Sequence, residues 1–451
     1  MMKISIRFFS NKLGIDGAIA YSVLARLIQA VGGMISIVFI ANYLNKVEQG
    51  YYFTFGSILA IQIFFELGLS GIITQFVAHE MANLNWNGST ELNGSEIALS
   101  RLSSLLRFCI KWFAIVATML LFILLLAGYL FFNKFGKEGD PVTWQTPWVL
   151  ISISTAFSIM ISPILAFFEG LGRVREVSII RVIQQSCQII VLFICFEVGL
   201  KLYSSPIASI ITLLAGFVCI FFSYKKALLQ FIWKGLKIWK VNYRLEIFPY
   251  QWRIALSWMS GYFIFQLFNP VIFATDGPVA AGQMGITLAV LNGVLSISLS
   301  WINTKVPLFS GLIAKKEYTT LDIAFNKTVR QASLICFLCL MALIVAVMIM
   351  QRMNISMGNR FLPLFPLILL CLTTFTNQLV SALATYLRCH KQEPFLLLSV
   401  VLAILTATST FVFGKLYGVI GITVGYSVLT IFVGLIWGAL IFKKKKKLWH
   451  Q

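Results

Sequence analysis

A chain of 451 residues that is 59% hydrophobic, 14% aromatic and only 12% charged lies far outside the composition of soluble globular proteins. Its formal net charge of +20 invites a nucleic-acid partner, but the lysines and arginines are distributed between apolar runs, which tells against nucleic acid and for a membrane protein. No loop is long enough to fold a second, catalytic core, so no enzyme activity and no cofactor are expected.

Residues 1–17 are basic and amphipathic, with neither a continuous apolar stretch nor a small-residue cleavage site; they read as a cytoplasmic interfacial segment, not a signal peptide. Twelve apolar runs follow, each near the roughly 20 residues that cross a hydrocarbon core. They cover 18–41, 52–74, 108–132, 148–168, 179–199, 206–222, 254–275, 279–301, 332–350, 362–386, 395–413 and 418–442. The expected fold is all-α: a six-helix lobe over 18–222, a basic cytoplasmic linker over 223–253, a second six-helix lobe over 254–442, and a basic cytoplasmic tail over 443–451. The two lobes are expected to surround a central cleft.

The basic residues give the orientation. With the N-terminus inside, cytoplasmic segments hold 26 lysines and arginines and the opposite loops hold seven; only Arg26, Lys111 and Arg181 lie within or at the mouth of a run. That asymmetry is the positive-inside pattern, and it places both termini in the cytoplasm. Lys443 to Lys447 read as a topology anchor drawn to anionic lipid.

A faint internal repeat supports two halves. In "NKVEQGYY" from Asn45 and "DGPVAAGQM" from Asp276, a valine is followed after two residues by a glycine and a new apolar run. "GLKLY" at Gly199 and "GKLY" at Gly414 form the second matching pair of links. Six helices per half make the repeat parallel.

Three stretches together resemble one family over essentially the whole chain. "IANYLNKVEQGYYFTFGSI" (Ile40 to Ile58), "FFELGLSGIITQFVAHE" (Phe65 to Glu80) and "FFEGLGRVREVSIIR" (Phe167 to Arg181) are similar, in order and spacing, to the Wzx-type polysaccharide flippases of the multidrug/oligosaccharidyl-lipid/polysaccharide (MOP) exporter superfamily. The resemblance implies transport of an undecaprenyl-pyrophosphate-linked oligosaccharide repeat unit across a bacterial inner membrane by alternating access, for O-antigen or capsule. It also implies contact with membrane lipids, coupling to a proton or sodium gradient, and a polysaccharide polymerase and a chain-length regulator as further partners. Two other readings stay open: a membrane polysaccharide polymerase or ligase, against which the lack of a long outer loop speaks, and a drug or cation antiporter of the same superfamily.

A pyrophosphate and a sugar chain need a polar, preferably cationic cavity, and intramembrane polar residues mark such cavities. Arg26 and Gln29 share a face of the first run; Gln62 and Glu66 lie four apart in the second; Gln266 and Asn269 lie in the seventh, where Pro270 should bend the helix; Asn292 lies in the eighth, with Lys305 beyond its cytoplasmic end. The alternative is that such groups satisfy one another between packed helices. Arg26 carries a fork of donors suited to pyrophosphate. Both Arg26 and Glu66 fall about 12 Å from the cytoplasmic ends of antiparallel neighbours, so a pair that opens for substrate, with Glu66 as the coupling or gating group, is expected. Asp276 reads as a turn residue, and Glu169 and Glu197 as interfacial. The eight cysteines, including Cys336 and Cys339, read as packing residues, and no metal site is expected.

Overall fold

The computed structural model describes residues 17–88, 90–136, 142–235, 239–390 and 392–449. Among these, nine helices are long and apolar enough to cross a membrane, and the longest, Leu396–Trp449, contains two of the predicted runs. The chain is a multi-pass, all-α membrane protein, and each predicted run lies on helix.

In chain order the helices are α1 (Gly17–Tyr43), α2 (Lys46–Leu59), α3 (Leu69–Met81), α4 (Glu96–Phe135), α5 (Gln145–Gly170), α6 (Val174–Glu197), α7 (Ser204–Phe221) and α8 (Tyr224–Lys234). There follow α9 (Phe248–Phe265), α10 (Phe268–Thr275), α11 (Gly277–Asn303), α12 (Val306–Ala314), α13 (Tyr318–Arg352), α14 (Leu364–Cys389), α15 (Leu396–Val428) and α16 (Ile436–Trp449). A short hairpin of β1 (Leu84–Asn87) and β2 (Glu91–Gly94) pairs antiparallel ahead of α4, with Leu84 opposite Gly94.

The structure refines several expectations. The second run is not one helix: α2 gives way to a single 3-10 turn (Ala60–Gln62) and one α turn (Ile63–Glu66), and then Leu67 and Gly68 adopt left-handed φ of 50° and 66° before α3 begins. Gly68 tolerates that conformation; Leu67 stores strain of about 1 kcal/mol. The seventh run breaks at Gln266 and Leu267, and Pro270 stands in the first turn of α10, where its missing N–H costs nothing. α15 turns back on itself at Gly418 (φ 56°), because a Cβ on Gly421 would lie 2.3 Å from the Phe413 carbonyl oxygen and one on Gly425 2.2 Å from Ser409 Oγ. The basic tail is helical through Trp449, where Lys446 Nζ meets Asp322 Oδ2 at 2.8 Å and the Trp449 ring stacks on His390.

Two compact units are present. The first comprises residues 1–32, 61–131 and 143–255. Within it α3 is fastened to α5: Thr74 Oγ1 donates to the Ala166 carbonyl at 3.0 Å, and Gly170 lies so close that a Cβ there would stand 2.7 Å from the Thr74 carbonyl oxygen. The buried Trp148 covers Gly128 and donates its indole N–H to the Leu124 carbonyl at 3.0 Å.

The second unit comprises residues 33–60, 132–142 and 256–451. Here α2 starts with a reciprocal cap, Asn45 Oδ1 accepting from the Glu48 N–H at 2.7 Å and Glu48 Oε2 from the Asn45 N–H at 2.8 Å. α2 then lies directly on α11. A Cβ on Gly50 would stand 1.9 Å from the Pro278 carbonyl oxygen, one on Gly282 2.9 Å from the Gly50 nitrogen, and one on Gly285 2.2 Å from the Phe53 ring. Gly50 and Gly282 are the two glycines that match in the internal repeat, so the repeated element packs against its own counterpart. Small residues permit such close backbone approach in a membrane, where apolar contact alone gives little drive to associate. Tyr51, Phe55, Phe132 and Phe273 form an aromatic cluster beside this crossing, and Ile302, Phe309, Phe325 and Tyr386 fill a second core between α11, α12, α13 and α14.

Candidate functional site

Glu66 ends the single helical turn before the break in the second run, with only part of its surface exposed. Its Oε1 accepts from Ser70 Oγ at 2.7 Å and from Ser162 Oγ of α5 at 3.1 Å, and the two hydroxyls lie 3.0 Å apart. The break has a second electrostatic consequence. α3 opens at Leu69, three residues past the carboxylate, with Gly68 as the cap of a 13-residue helix. The positive end of that helix favours a carboxylate beside it. Glu66 is therefore held by two hydroxyls in a discontinuous membrane helix, an arrangement suited to a group that changes partners.

Of the other predicted residues in the first unit, Gln62 lies one turn before Glu66 and Gln29 is exposed on α1. The Arg26 side chain lies outside the described residues, and with it the expected pair with Glu66. Arg181, grouped by sequence as a residue at the mouth of a run, meets Glu169 at 2.9 Å, so the interfacial carboxylate at the end of α5 has a cation partner.

In the second unit Asn269 is buried and donates from Nδ2 to Ser57 Oγ of α2 at 3.1 Å. Its Oδ1, and Thr54 Oγ1 one turn before Ser57, are buried with no hydrogen-bond partner among the described residues. A buried polar atom without a partner costs about 1–3 kcal/mol, which marks this spot as polar where packing alone would choose apolar side chains. Gln266 is half-buried at the break before α10, while Asn292 on α11 and Lys305 beyond its end are exposed. Asp276 stands at the cap position of α11, against Gly418, in keeping with a turn role.

Near the start of α2, Gln49 is 1% exposed; its Nε2 donates to the Gly282 carbonyl at 2.7 Å, and its Oε1 accepts from Arg360 Nη1 at 3.3 Å. This group was not singled out from sequence, nor were Ser57, Ser70 and Ser162. Ser70 had a legible signal, since it follows Glu66 by four residues; Ser162 and Ser57 had none, because each meets its partner only through tertiary packing. An apolar groove of about 650 Å³ lies between the arms of α15, lined by Leu405, Phe413, Ile420, Val424 and Val428 among others. It offers almost no hydrogen-bonding surface for a sugar or a pyrophosphate.

Solved transporters share this architecture. An inward-facing multidrug resistance MATE family transporter of the MOP superfamily is 14% identical, with a TM-score of 0.59 over 93% of this chain and 99% of that one. The chain has the fold of that transporter. A lipid II flippase, MurJ, in an inward closed conformation is 15% identical with a TM-score of 0.58 over 95% of this chain and 87% of that one. The MATE multidrug transporter DinF-BH is 12% identical with a TM-score of 0.60 over 96% of each chain. Neither a family model nor a curated protein sequence matches this chain. At these identities the likeness carries the fold alone.

Proposed function

We propose that this protein is a flippase that moves an undecaprenyl-pyrophosphate-linked oligosaccharide repeat unit across a bacterial inner membrane by alternating access, in the synthesis of O-antigen or capsule. The observation that carries the reading is the setting of Glu66. An intramembrane carboxylate that accepts from Ser70 and Ser162 at a break in its helix suits a gating group rather than an open acidic binding face. Arg26 and Lys305 then serve as the cationic contacts for pyrophosphate, with Gln29, Gln62, Gln266, Asn269 and Asn292 as polar contacts for sugar. The fold it shares with a lipid II flippase supports this reading. The same fold occurs in multidrug transporters, and Glu66 is a carboxylate that a cation antiporter would also use, so drug export is the second reading.

The test is reconstitution into liposomes with two cargoes, a fluorescent undecaprenyl-pyrophosphate oligosaccharide and a cationic dye. Movement of the glycolipid between leaflets, with the glycan and its pyrophosphate link intact, supports the flippase. Dye transport with no glycolipid movement sinks it, and elongated or released glycan moves the protein into the polymerase or ligase class.

A further inference from the structure

The segment that joins the two predicted lobes is not a slack tether. The end of α8 and residues Trp239 to Val241 are stapled along the start of α4 by side chains on one stretch of that helix. Ser100 Oγ accepts from the Trp239 N–H at 2.8 Å and donates to the Trp239 carbonyl at 2.9 Å, and Ser104 Oγ accepts from the Val241 N–H at 3.3 Å. Arg107 donates from Nε to the Trp233 carbonyl at 3.2 Å and from Nη2 to the Gly235 carbonyl at 3.1 Å, closing the C-terminal end of α8. Arg101 bridges Glu80 at the end of α3 and Glu246 beyond the strap. These backbone groups are thus satisfied by α4, and Leu228, Ile232 and Ile247 are buried.

What remains faces outward. Trp233, Trp239, Leu245, Phe248 and Trp252 are all exposed large hydrophobics, Leu245 at 72%. Lys226, Lys234, Lys240, Arg244 and Arg253 are exposed among them. Between Ser223 and Arg253 the sequence holds seven lysines and arginines but one carboxylate, Glu246, which Arg101 already occupies; of the seven, Lys225 meets Glu176 of α6 at 3.4 Å. Tryptophans beside exposed cations match the headgroup layer of a bilayer, where indoles bury their rings and cations meet phosphate.

We infer that this strap is a binding site for anionic phospholipid headgroups, held by Lys226, Lys234, Lys240 and Arg244 with Trp233 and Trp239 seated at the level of the acyl carbonyls. The occupant is the bilayer's own anionic lipid, as charge complementarity requires. Because the orientation proposed from the basic residues puts this segment at the cytoplasmic surface, the strap ties the first unit to the anionic leaflet independently of what the protein carries.

A benzophenone amino acid in place of Trp239 in the full chain, irradiated in membranes of phosphatidylglycerol and phosphatidylcholine in known ratio, tests this by mass identification of the lipid adducts. Phosphatidylglycerol adducts should exceed their share of the membrane by at least about fivefold, the worth of roughly one cation near the surface. Changing Lys226, Lys234, Lys240 and Arg244 together to Gln should return the adducts to the bulk ratio, whereas neutralising Lys443 to Lys447 should not. Equal ratios with and without the four cations would overturn the inference, leaving an interface without headgroup preference. Adducts to protein in place of lipid would overturn it too, because a partner then covers the strap. Unchanged thermal unfolding of the fourfold variant separates lost lipid recognition from misfolding.

Discussion

At the scale of single residues, what matters is which partner holds each charge. Glu66 accepts from two hydroxyls, so Ser162→Ala should remove one donor and lower stability by about 1 kcal/mol, readable as a drop in melting temperature. Transport should answer differently to the charge itself. Under the proposed mechanism Glu66→Gln keeps the shape, slows turnover and flattens any pH dependence of flipping. Arg26→Ala should abolish flipping at every pH and Arg26→Lys retain only part of it, since a lysine cannot present the bidentate fork. Normal flipping by Arg26→Ala would move the phosphate contact elsewhere, with Lys305 the next candidate. Glu246 makes a separate pH statement. Burial pushes its carboxyl up, but hydrogen bonds from Arg101 and from the Asn242 N–H, with the Arg101 charge, more than offset this and hold it below the usual carboxylate range. The folded value being lowered, its contribution is complete above the unfolded value of about 4.3 and is lost as pH falls through the folded value. Exchange of the Trp239 amide should therefore keep the same protection from pH 8 to 5 once intrinsic rates are corrected. Glu246→Gln should make it about threefold faster at neutral pH, the modest effect of a solvent-screened pair.

At the scale of elements, the crossing of α2 over α11 is set by glycine. The Cβ of any other residue at position 50 would collide with a backbone oxygen, Pro278 O, which cannot rotate aside as a side chain does. Gly50→Leu should force the two helices apart and free Gln49 from the Gly282 carbonyl, costing more than the ~1–3 kcal/mol of ordinary overpacking. Gly33→Ala, at a position with nothing within 4 Å of an added Cβ, should be tolerated. The comparison is made by detergent-solubilised thermal unfolding of both variants; equal stability would show that α2 and α11 do not depend on this contact. The discontinuities in the second and seventh runs belong to the same scale. "QLFNPV" announces its break through Pro270, whereas "FFELGL" does so only weakly through Gly68, because glycine in a membrane helix is as often a packing residue as a break.

At the scale of the whole molecule, orientation is the prediction. A reporter active only when exported, fused after Gln451, should stay inactive, and a cysteine placed between positions 234 and 240 should resist an impermeant label added from outside. Activity of the first or labelling of the second would invert the orientation drawn from 26 basic residues on one side against seven on the other. The 223–253 segment also changes meaning at this scale: its sequence reads as a basic linker, and the structure gives part of it a fixed path along α4.

Composition and the length of apolar runs were sufficient to determine an all-α, multi-pass protein, because a bilayer admits few other ways to satisfy a backbone and each run must be long enough to cross. The spacing of valine and glycine in "VEQG" and "VAAG" is local and readable too, and α2 and α11 carry it. Which of these residues touch was not legible. That Gly50 faces Gly282, that Ser162 reaches Glu66 from a helix 96 residues away, and that Asn269 turns its amide N–H to Ser57 depend on how helices distant in sequence cross. In hydrocarbon, apolar surface specifies burial no more than exposure, so hydropathy says where a helix is and not which of its faces meets a neighbour; close packing and hydrogen bonds between helices decide that.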